Sequence, residues 1–253
     1  MSFIVNPYRF APSFTPCVVT DPDVIAYLTA AGIPNDGTKY FAGTPYEITG
    51  AQYWCYVNKA MTSIKSGISY PKIKGLWFNI GNSATSVKYN AINPLNTDGA
   101  YRLSFGGSDI GFDPRGIRFY STQWADTHLN PNVTGIENIS IGYSQISNTG
   151  GASFGVTLGY NCVKKVNPFL KTSIDNFILP DTINTDKNEY VFITTRDNPS
   201  SYDIHVNGVK TTYPVATFGY PGASDSIYFG AYNNIPTASD FMGGILSVMF
   251  ISE

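Results

Sequence analysis

Acidic side chains are the first candidates for chemistry in this sequence, because pairs of carboxyl groups catalyse the hydrolysis of glycosidic bonds. Such a pair must flank the bond at a separation of about 5 to 9 Å. The four glutamates are far apart in the sequence, at Glu47, Glu137, Glu189 and Glu253. Asp203 lies in a strand-like segment with no second acid two residues away on either side. The sequence therefore predicts neither a glycosidase nor any catalytic residue.

The two histidines, His128 and His205, are the next candidates. A Ser-His-Asp triad can be assembled from distant residues, so sequence spacing alone does not exclude one. No nucleophile elbow of the Gly-x-Ser-x-Gly type is expected, and the protein is predicted not to be an enzyme. His205 lies between Ile204 and Val206 and is predicted to face the surface.

Loop acids are candidates for calcium binding, since calcium prefers carboxylate and carbonyl oxygens. Five aspartates fall in predicted loops: Asp109, Asp113, Asp181, Asp186 and Asp225. No calcium-loop pattern joins them, so we expect solvated turn acids, no metal ligands and no cofactor.

Aromatic side chains offer a different chemistry, the binding of sugars. The apolar face of a pyranose can stack on an aromatic ring while polar neighbours hydrogen-bond its hydroxyl groups. The chain has 18 Tyr, 16 Phe and 3 Trp. Six of them are candidates for such a contact: Tyr120, Trp124, Tyr143, Tyr160, Tyr220 and Tyr232. Aromatic residues also fill β-sandwich cores and subunit interfaces, so the sequence leaves the glycan-binding residues unassigned.

The three cysteines, Cys17, Cys55 and Cys162, form no paired or metal-binding spacing. The prediction is three unpaired thiols in a protein that folds in a reducing cytoplasm. We expect no signal peptide and no membrane insertion, because the sequence has neither a leader pattern nor an apolar run of about 18 residues.

Composition limits the partners. Charged residues make up only 13% of the 253 residues, and the formal net charge is -2. A chain with this balance has no electrostatic attraction for nucleic acid. Few charges also reduce the repulsion between copies, so packing into a homo-oligomer is expected.

The first 72 residues are predicted to form an extended arm followed by two short helices. Three prolines within residues 7 to 16 favour an arm over residues 1–20, with Tyr8, Arg9 and Phe10 as candidate assembly contacts. Asp21 and Pro22 fit the start of a first helix, which would end at Gly32. Thr49 and Gln52 form a capping-box pair at the start of a second helix.

Strand patterns dominate from residue 73 onwards. Among the predicted strands are segments 73–80, 86–90, 100–105, 138–146 and 152–159. The closing third alternates strong β-formers with turns, and Asn207-Gly208 predicts a tight type I′ hairpin. Residues 226–232 are apolar at both alternating positions, as in a strand covered on both faces, and residues 244–251 form the last strand.

The closing order of elements resembles concanavalin A-like, laminin-G-type jelly rolls. It consists of Tyr202 to Gly208, Ile227 to Asn233 and the apolar strand from Gly243 to Phe250. The resemblance implies a mainly β, antiparallel two-sheet jelly-roll sandwich over residues 73–253. It implies little about function, because such sandwiches include hydrolases, lectins and structural modules.

A second resemblance, to virion structural proteins of bacteriophages of the tail or appendage type, rests on short segments. They are residues 5–12, 28–33, 76–77, 81–90, 93–107 and 125–131. It implies a non-enzymatic subunit of a phage tail, fibre or capsid decoration. Such a subunit would be located in the virion and would bind other virion proteins through its arm and low-charge faces.

The alternative is a lectin-like module that binds host-surface glycans during adsorption. The expected organisation is an arm at 1–20, a two-helix segment at 21–72 packed on the sandwich, and the sandwich at 73–253.

Overall fold

The computed structural model describes most of the chain from Cys17 onwards. The described residues are 17–67, 70–107, 110–120, 122–130, 139–148, 151–155, 162–166, 169–174, 177–178, 183–184, 190–198, 201–214, 226–234, 237–239 and 244–252. The predicted arm contacts Tyr8, Arg9 and Phe10 lie outside these residues.

Helices begin where the capping residues predict. Helix α1 spans Pro22–Ala30, and the Asp21 carboxylate accepts a hydrogen bond from the Asp23 amide at 3.0 Å. Helix α2 spans Gly50–Lys65 and opens with the complete Thr49–Gln52 capping box. A third, unpredicted helix, α3, spans Ala84–Val87. None of the helices in the described segments is both long and apolar enough to cross a membrane.

Strands make up the rest of the regular structure. In chain order they are β1 (Lys39–Tyr40), β2 (Ile48–Thr49), β3 (Ile73–Phe78), β4 (Ser104–Gly106), β5 (Gly111–Asp113), β6 (Gly116–Phe119), β7 (Trp124–Asp126), β8 (Ile139–Asn148), β9 (Gly151–Gly155), β10 (Cys162–Val166), β11 (Phe169–Ile174), β12 (Phe177–Ile178), β13 (Ile183–Asn184), β14 (Tyr190–Asn198), β15 (Ser201–Val206), β16 (Val209–Pro214), β17 (Tyr228–Phe229), β18 (Tyr232–Asn234), β19 (Thr237–Ser239) and β20 (Gly244–Ser252).

Two antiparallel sheets form the sandwich. The front sheet has the order β12-β11-β10-β9-β17-β7-β4, with β13 paired to β11. The back sheet has the order β16-β15-β14-β8-β20-β6-β5, with β3 paired to β20. The long strand β20 pairs with β8 on one side and with β6 and then β3 on the other. This arrangement confirms the mainly β, two-sheet prediction.

One hydrophobic core lies between the two sheets. Its largest side chains come from both sheets and include Trp77, Phe119, Tyr143, Phe192 and Phe229. The rings of Trp77 and Phe229 meet edge to face with centroids 5.7 Å apart. Since side chains alternate along a strand, the neighbours of these core residues must point to the outer faces.

A second core lies on the outer face of the back sheet. Leu76 and Phe78, on either side of Trp77 in β3, pack with Tyr27 of α1 and Tyr53 of α2. The Tyr27 hydroxyl donates to the Phe78 carbonyl at 2.7 Å and is fully buried. The helical segment therefore covers the outer face of the back sheet, which directs attention to the outer face of the front sheet.

Two predicted strands before residue 110 were wrong. Residues 86–90 were predicted as a strand, but Ser83 and Ser86 form a capping box that begins α3. Residues 100–105 were predicted as one strand, but Asp98–Ala100 is a 3-10 turn and Tyr101 has a φ of 59°. That left-handed residue ends the turn, and extended pairing starts only at Ser104.

The prediction of three unpaired thiols was also wrong. Cys17 and Cys55 form a disulfide with their Cα atoms 5.7 Å apart, a usual separation for such a bond. It ties the chain just before α1 to the middle of α2. Folding in a reducing cytoplasm was inferred from the lack of a leader pattern as well as from the cysteines, so it loses only the second support and stays a prediction.

Candidate functional site

Two aromatic rings stack on each other on the outer face of the front sheet. Trp124 of β7 and Tyr228 of β17 are half-buried, with centroids 6.0 Å apart and planes 17° from parallel. Their chain neighbours Ala125 and Phe229 are buried in the core between the sheets, so alternation directs Trp124 and Tyr228 outwards. We call this pair the aromatic platform.

Gly106 makes room for the platform. It pairs with Trp124 across β4 and β7. A Cβ atom at Gly106 would lie 2.1 Å from Cε2 and Cζ2 of the indole. The indole therefore packs directly over the β4 backbone, at a distance that only glycine permits.

Asp126 is the polar centre of the site. It lies opposite Ser104 of β4 on one side and opposite Tyr228 of β17 on the other. Its Oδ1 accepts hydrogen bonds from the Ser226 hydroxyl at 2.5 Å and from the His128 amide at 2.7 Å. Both bonds fix the orientation of the carboxylate beside the platform, and its side chain keeps 21% of its surface exposed.

His128 completes the polar side of the site. Its backbone has a φ of 53°, a left-handed conformation that costs energy for a residue other than glycine. Its Nε2 lies 2.7 Å from the Ser104 hydroxyl and 3.5 Å from Asp98 Oδ1. The imidazole thus joins β4 to the turn that precedes it.

Asp98 and Arg102 form the outer edge of this polar group. Arg102 Nε donates to Asp98 Oδ1 at 2.8 Å, and its Nη1 donates to Asn96 Oδ1 at 3.4 Å. The hydrogen bond from Arg102 holds the pKa of Asp98 below its ordinary value. Asp98 is therefore ionised at neutral pH, and its side chain is 59% exposed.

Ser104, His128 and Asp126 have the composition of a catalytic triad but not its geometry. In a triad the acid hydrogen-bonds the imidazole Nδ1, whereas Asp126 Oδ2 lies 3.7 Å from Nδ1 of His128. The Nε2 atom is also shared between Ser104 and Asp98. This arrangement is suited to hydrogen-bonding hydroxyl groups rather than to activating the serine.

The sequence does contain the Gly-x-Ser-x-Gly pattern, although no nucleophile elbow was predicted. Residues 151–155 read Gly-Ala-Ser-Phe-Gly. They form strand β9 inside the front sheet, between β10 and β17. A nucleophile elbow is a sharp turn from a strand into a helix, so the motif here is a sheet segment and not an elbow.

The other candidate aromatics are placed differently. Tyr120, at the end of β6 in the back sheet, is 50% exposed. Tyr143 is buried in the core and stacks on Phe192 with centroids 5.5 Å apart. Tyr160 and Tyr220 lie outside the described residues, and Tyr232 begins β18.

All three candidate acids that the structure describes, Glu47, Asp113 and Asp203, have basic partners. Glu47 pairs with Lys39 at 2.7 Å, and Asp203 pairs with Lys210 at 2.5 Å. Asp113 hydrogen-bonds Arg115 and Arg118. The remaining candidates lie outside the described residues: Asp109, Glu137, Asp181, Asp186, Glu189, Asp225 and Glu253. Within the described part of the chain, no three acidic, histidine or cysteine side chains lie close enough to hold a metal ion.

A small cavity between α2 and the back sheet does not compete as a sugar site. It has a volume of about 30 Å³ and is lined by residues that include Tyr53, Asn79 and Arg115. The Asn79 side chain is buried, and its Oδ1 accepts no hydrogen bond from the residues that the structure describes. A volume of this size holds about one water molecule, which suits the unpaired oxygen and excludes a sugar ring.

Of the two platform residues, Trp124 was predicted from the sequence as a candidate sugar contact and Tyr228 was not. Tyr228 lies in a segment that is apolar at both alternating positions, so it was interpreted as covered on both faces. Asp126, Ser104 and Gly106 are ordinary strand residues until the sheet brings them beside Trp124. The one available signal is local, since Trp124, Asp126 and His128 alternate in sequence as residues on one face of a strand do.

Comparisons with known proteins give structural similarity only. No protein-family model matches the chain, and no curated protein matches it. A mutant of Trypanosoma rangeli sialidase displaying trans-sialidase activity superposes with a TM-score of 0.55 and 8% identity, over 80% of this chain and 36% of that one.

Two botulinum neurotoxin structures are also similar. One is botulinum neurotoxin type C, whose cell entry depends on interaction with two ganglioside molecules. It superposes with a TM-score of 0.51 and 12% identity, over 76% of this chain and 49% of that one. The other is the receptor-binding domain of a mosaic serotype C/D toxin. It superposes with a TM-score of 0.51 and 11% identity, over 72% of this chain and 47% of that one. This chain spans between about a third and a half of the three structures.

At these identities the similarity establishes the fold alone: a mainly β, antiparallel jelly-roll sandwich. The similar structures come from a sialidase and from botulinum neurotoxins, and they give no support to the bacteriophage interpretation.

Proposed function

We propose that this chain is a glycan-binding module and that a sugar ring packs on the aromatic platform of Trp124 and Tyr228. The observation that carries the proposal is the placement of two half-exposed, nearly parallel rings on the same sheet face as a fixed carboxylate, Asp126, which lies opposite Tyr228. Sugar sites in proteins combine the same two elements, an aromatic surface and a few well-placed polar groups.

The chemistry of binding follows from these positions. The C–H face of a pyranose would lie against the rings, where a stacking contact contributes about 0.5 to 1.5 kcal/mol beyond burial. Hydroxyl groups at the ring edge would donate to Asp126, which keeps free lone pairs after accepting from Ser226 and His128. Ser104 and His128 would orient a second hydroxyl.

The architecture supports this location. Helices α1 and α2 pack on the outer face of the back sheet through Tyr27, Tyr53 and Met61. The platform lies on the opposite side of the sandwich. The similar toxin structure comes from a protein that interacts with gangliosides, which supports glycan recognition as the use of this fold here.

The proposal favours the lectin alternative over a purely structural role. Assembly through Tyr8, Arg9 and Phe10, attachment to other virion proteins, location in a virion and homo-oligomer formation stay predictions. The residues that would carry the assembly role lie outside those that the structure describes.

The test is a binding titration with matched aromatic variants. A glycan found by array screening is titrated into wild type, Trp124→Ala, Tyr228→Ala and Tyr120→Ala. Loss of one stacking ring should weaken binding about tenfold or more. Tyr120→Ala removes a more exposed ring from the back sheet and should leave affinity unchanged. Equal affinity of Trp124→Ala and wild type, or loss on Tyr120→Ala, would overturn the proposal.

A further inference from the structure

The charged groups beside the aromatic platform carry information about the ligand. Two carboxylates, Asp98 and Asp126, and one guanidinium, Arg102, surround His128 and Ser104 among the side chains that the structure describes there. The guanidinium is already engaged by Asp98 and Asn96 at 2.8 Å and 3.4 Å. The described groups therefore present an excess of negative charge towards a bound sugar.

Asp126 is held in place as an acceptor. Its Oδ1 accepts from both Ser226 and His128, so the carboxylate cannot turn away from the platform without breaking two hydrogen bonds. A carboxylate accepts hydrogen bonds and donates none. Its natural partner on a sugar is a hydroxyl group, and its poorest partner is a second carboxylate.

We propose that the site selects uncharged glycans and discriminates against those whose stacked sugar carries a carboxylate, such as sialic or uronic acids. This inference rests on the proposed glycan-binding function and adds the class of ligand to it. A ligand carboxylate within a few Å of Asp126 would be repelled with no unengaged cation among the described groups to offset the repulsion. Like-charge contacts of this kind weaken binding by about tenfold or more and are a general source of specificity.

The experiment compares matched pairs of glycans on wild-type protein. Each neutral oligosaccharide, for example lactose, is titrated beside its sialylated counterpart, 3′-sialyllactose, and each hexose oligomer beside its uronate counterpart. Every pair is measured at low salt and at about 0.5 M NaCl, where screening shortens the range of charge repulsion to a few Å. The same pairs are titrated into Trp124→Ala and Asp98→Asn.

We expect neutral glycans to bind and their acidic counterparts to bind at least about tenfold more weakly. The ratio of the neutral to the acidic affinity should be smaller in high salt. Asp98→Asn should also reduce the ratio, since it removes one charge at nearly constant size. Equal or tighter binding of the acidic glycans, lost in Trp124→Ala, would overturn the charge inference and leave the platform in place. Failure of every glycan to bind, or binding that Trp124→Ala does not change, would overturn the proposed function and with it this inference.

Discussion

Asp126 and His128 are joined through the His128 backbone: its amide donates to Asp126 Oδ1 at 2.7 Å, while its imidazole Nδ1 lies 3.7 Å from Asp126 Oδ2, beyond hydrogen-bonding distance. The amide bond keeps the Asp126 carboxylate beside the aromatic platform. His128 itself has a left-handed φ of 53°, a strained conformation for a residue other than glycine.

Position 128 should show this strain in a matched pair of variants. His128→Gly and His128→Ala both lose the imidazole, but only glycine adopts a positive φ without cost. We expect His128→Gly to be more stable than His128→Ala by about 1 kcal/mol in urea unfolding. Equal stability of the two variants would contradict the argument that the backbone is strained here.

Gly106→Ala should displace the platform. The added methyl group would lie 2.1 Å from two atoms of the Trp124 indole, so the ring must move away from β4 and from Tyr228. The expected result is a changed near-UV circular dichroism signal, a loss of about 1 to 3 kcal/mol in stability and weaker glycan binding.

Gly37→Ala is the control for that variant, because nothing lies within 4 Å of a Cβ atom at Gly37. It should leave the spectrum and the glycan affinity as in wild type. An unchanged spectrum in Gly106→Ala would show that the indole does not lie over β4.

The disulfide should be visible in a thiol count. The chain has 3 cysteines, of which Cys17 and Cys55 are bonded to each other. Protein purified without reductant and then unfolded should show one reactive thiol per chain, and three after reduction. Cys55→Ser should lose about 2 to 4 kcal/mol of stability, because it opens a cross-link between residues 38 apart. Three thiols before reduction would contradict the bond.

Asp113 should contribute to stability in a pH-dependent way. Burial raises the pKa of this carboxyl, but hydrogen bonds from Arg115 and Arg118 outweigh that effect, so the pKa lies below its ordinary value of 3.8. The stabilisation is complete above the unfolded pKa, near 4, and is lost as the pH falls through the folded pKa.

Asp113→Asn should therefore cost about 1 to 3 kcal/mol at pH 7 and much less at pH 2. Urea unfolding of both proteins at several pH values measures the difference. Glu47→Gln, which affects the exposed pair with Lys39, should have a smaller effect at pH 7. A difference for Asp113→Asn that is the same at pH 2 and pH 7 would contradict the argument.

Local signals in the sequence predicted the parts of the fold that local chemistry determines. The Thr49–Gln52 capping box begins α2 as expected. Asn207 and Gly208 have φ values of 51° and 84°, which agree with the predicted type I′ turn between β15 and β16. In each case the residues that produce the signal also form the predicted structure, and they lie within four positions of one another in the chain.

Long-range pairing could not be predicted in this way. The Ser226 hydroxyl reaches Asp126 across a sequence separation of 100 residues, and no pattern in either segment indicates the other. Tyr228 was interpreted as buried because its neighbours are apolar, yet β17 is only two residues long. Its outward ring depends on the pairing of β17 with β7, which is a property of the whole sheet.

The disulfide was missed for the same physical reason. Cys17 and Cys55 have no characteristic spacing, and they meet because α2 packs close to the start of α1. Lys65 at the end of α2 contacts Asp21 at 2.6 Å. The packing of two helices brings these residues together, and sequence spacing does not report it.

The most direct test of the account uses the indole N–H signals of the three tryptophans in a ¹⁵N–¹H correlation spectrum. Trp54 Nε1 donates to the Ile33 carbonyl at 2.8 Å, and Trp77 Nε1 donates to the Tyr101 carbonyl at 3.1 Å. Both of these indoles are therefore held by contacts away from the aromatic platform. On titration with a neutral glycan, the account predicts a saturable shift of the Trp124 signal while the other two stay in place. A shift of the Trp54 signal with Trp124 unchanged would place the sugar on the helical side of the molecule and contradict the account.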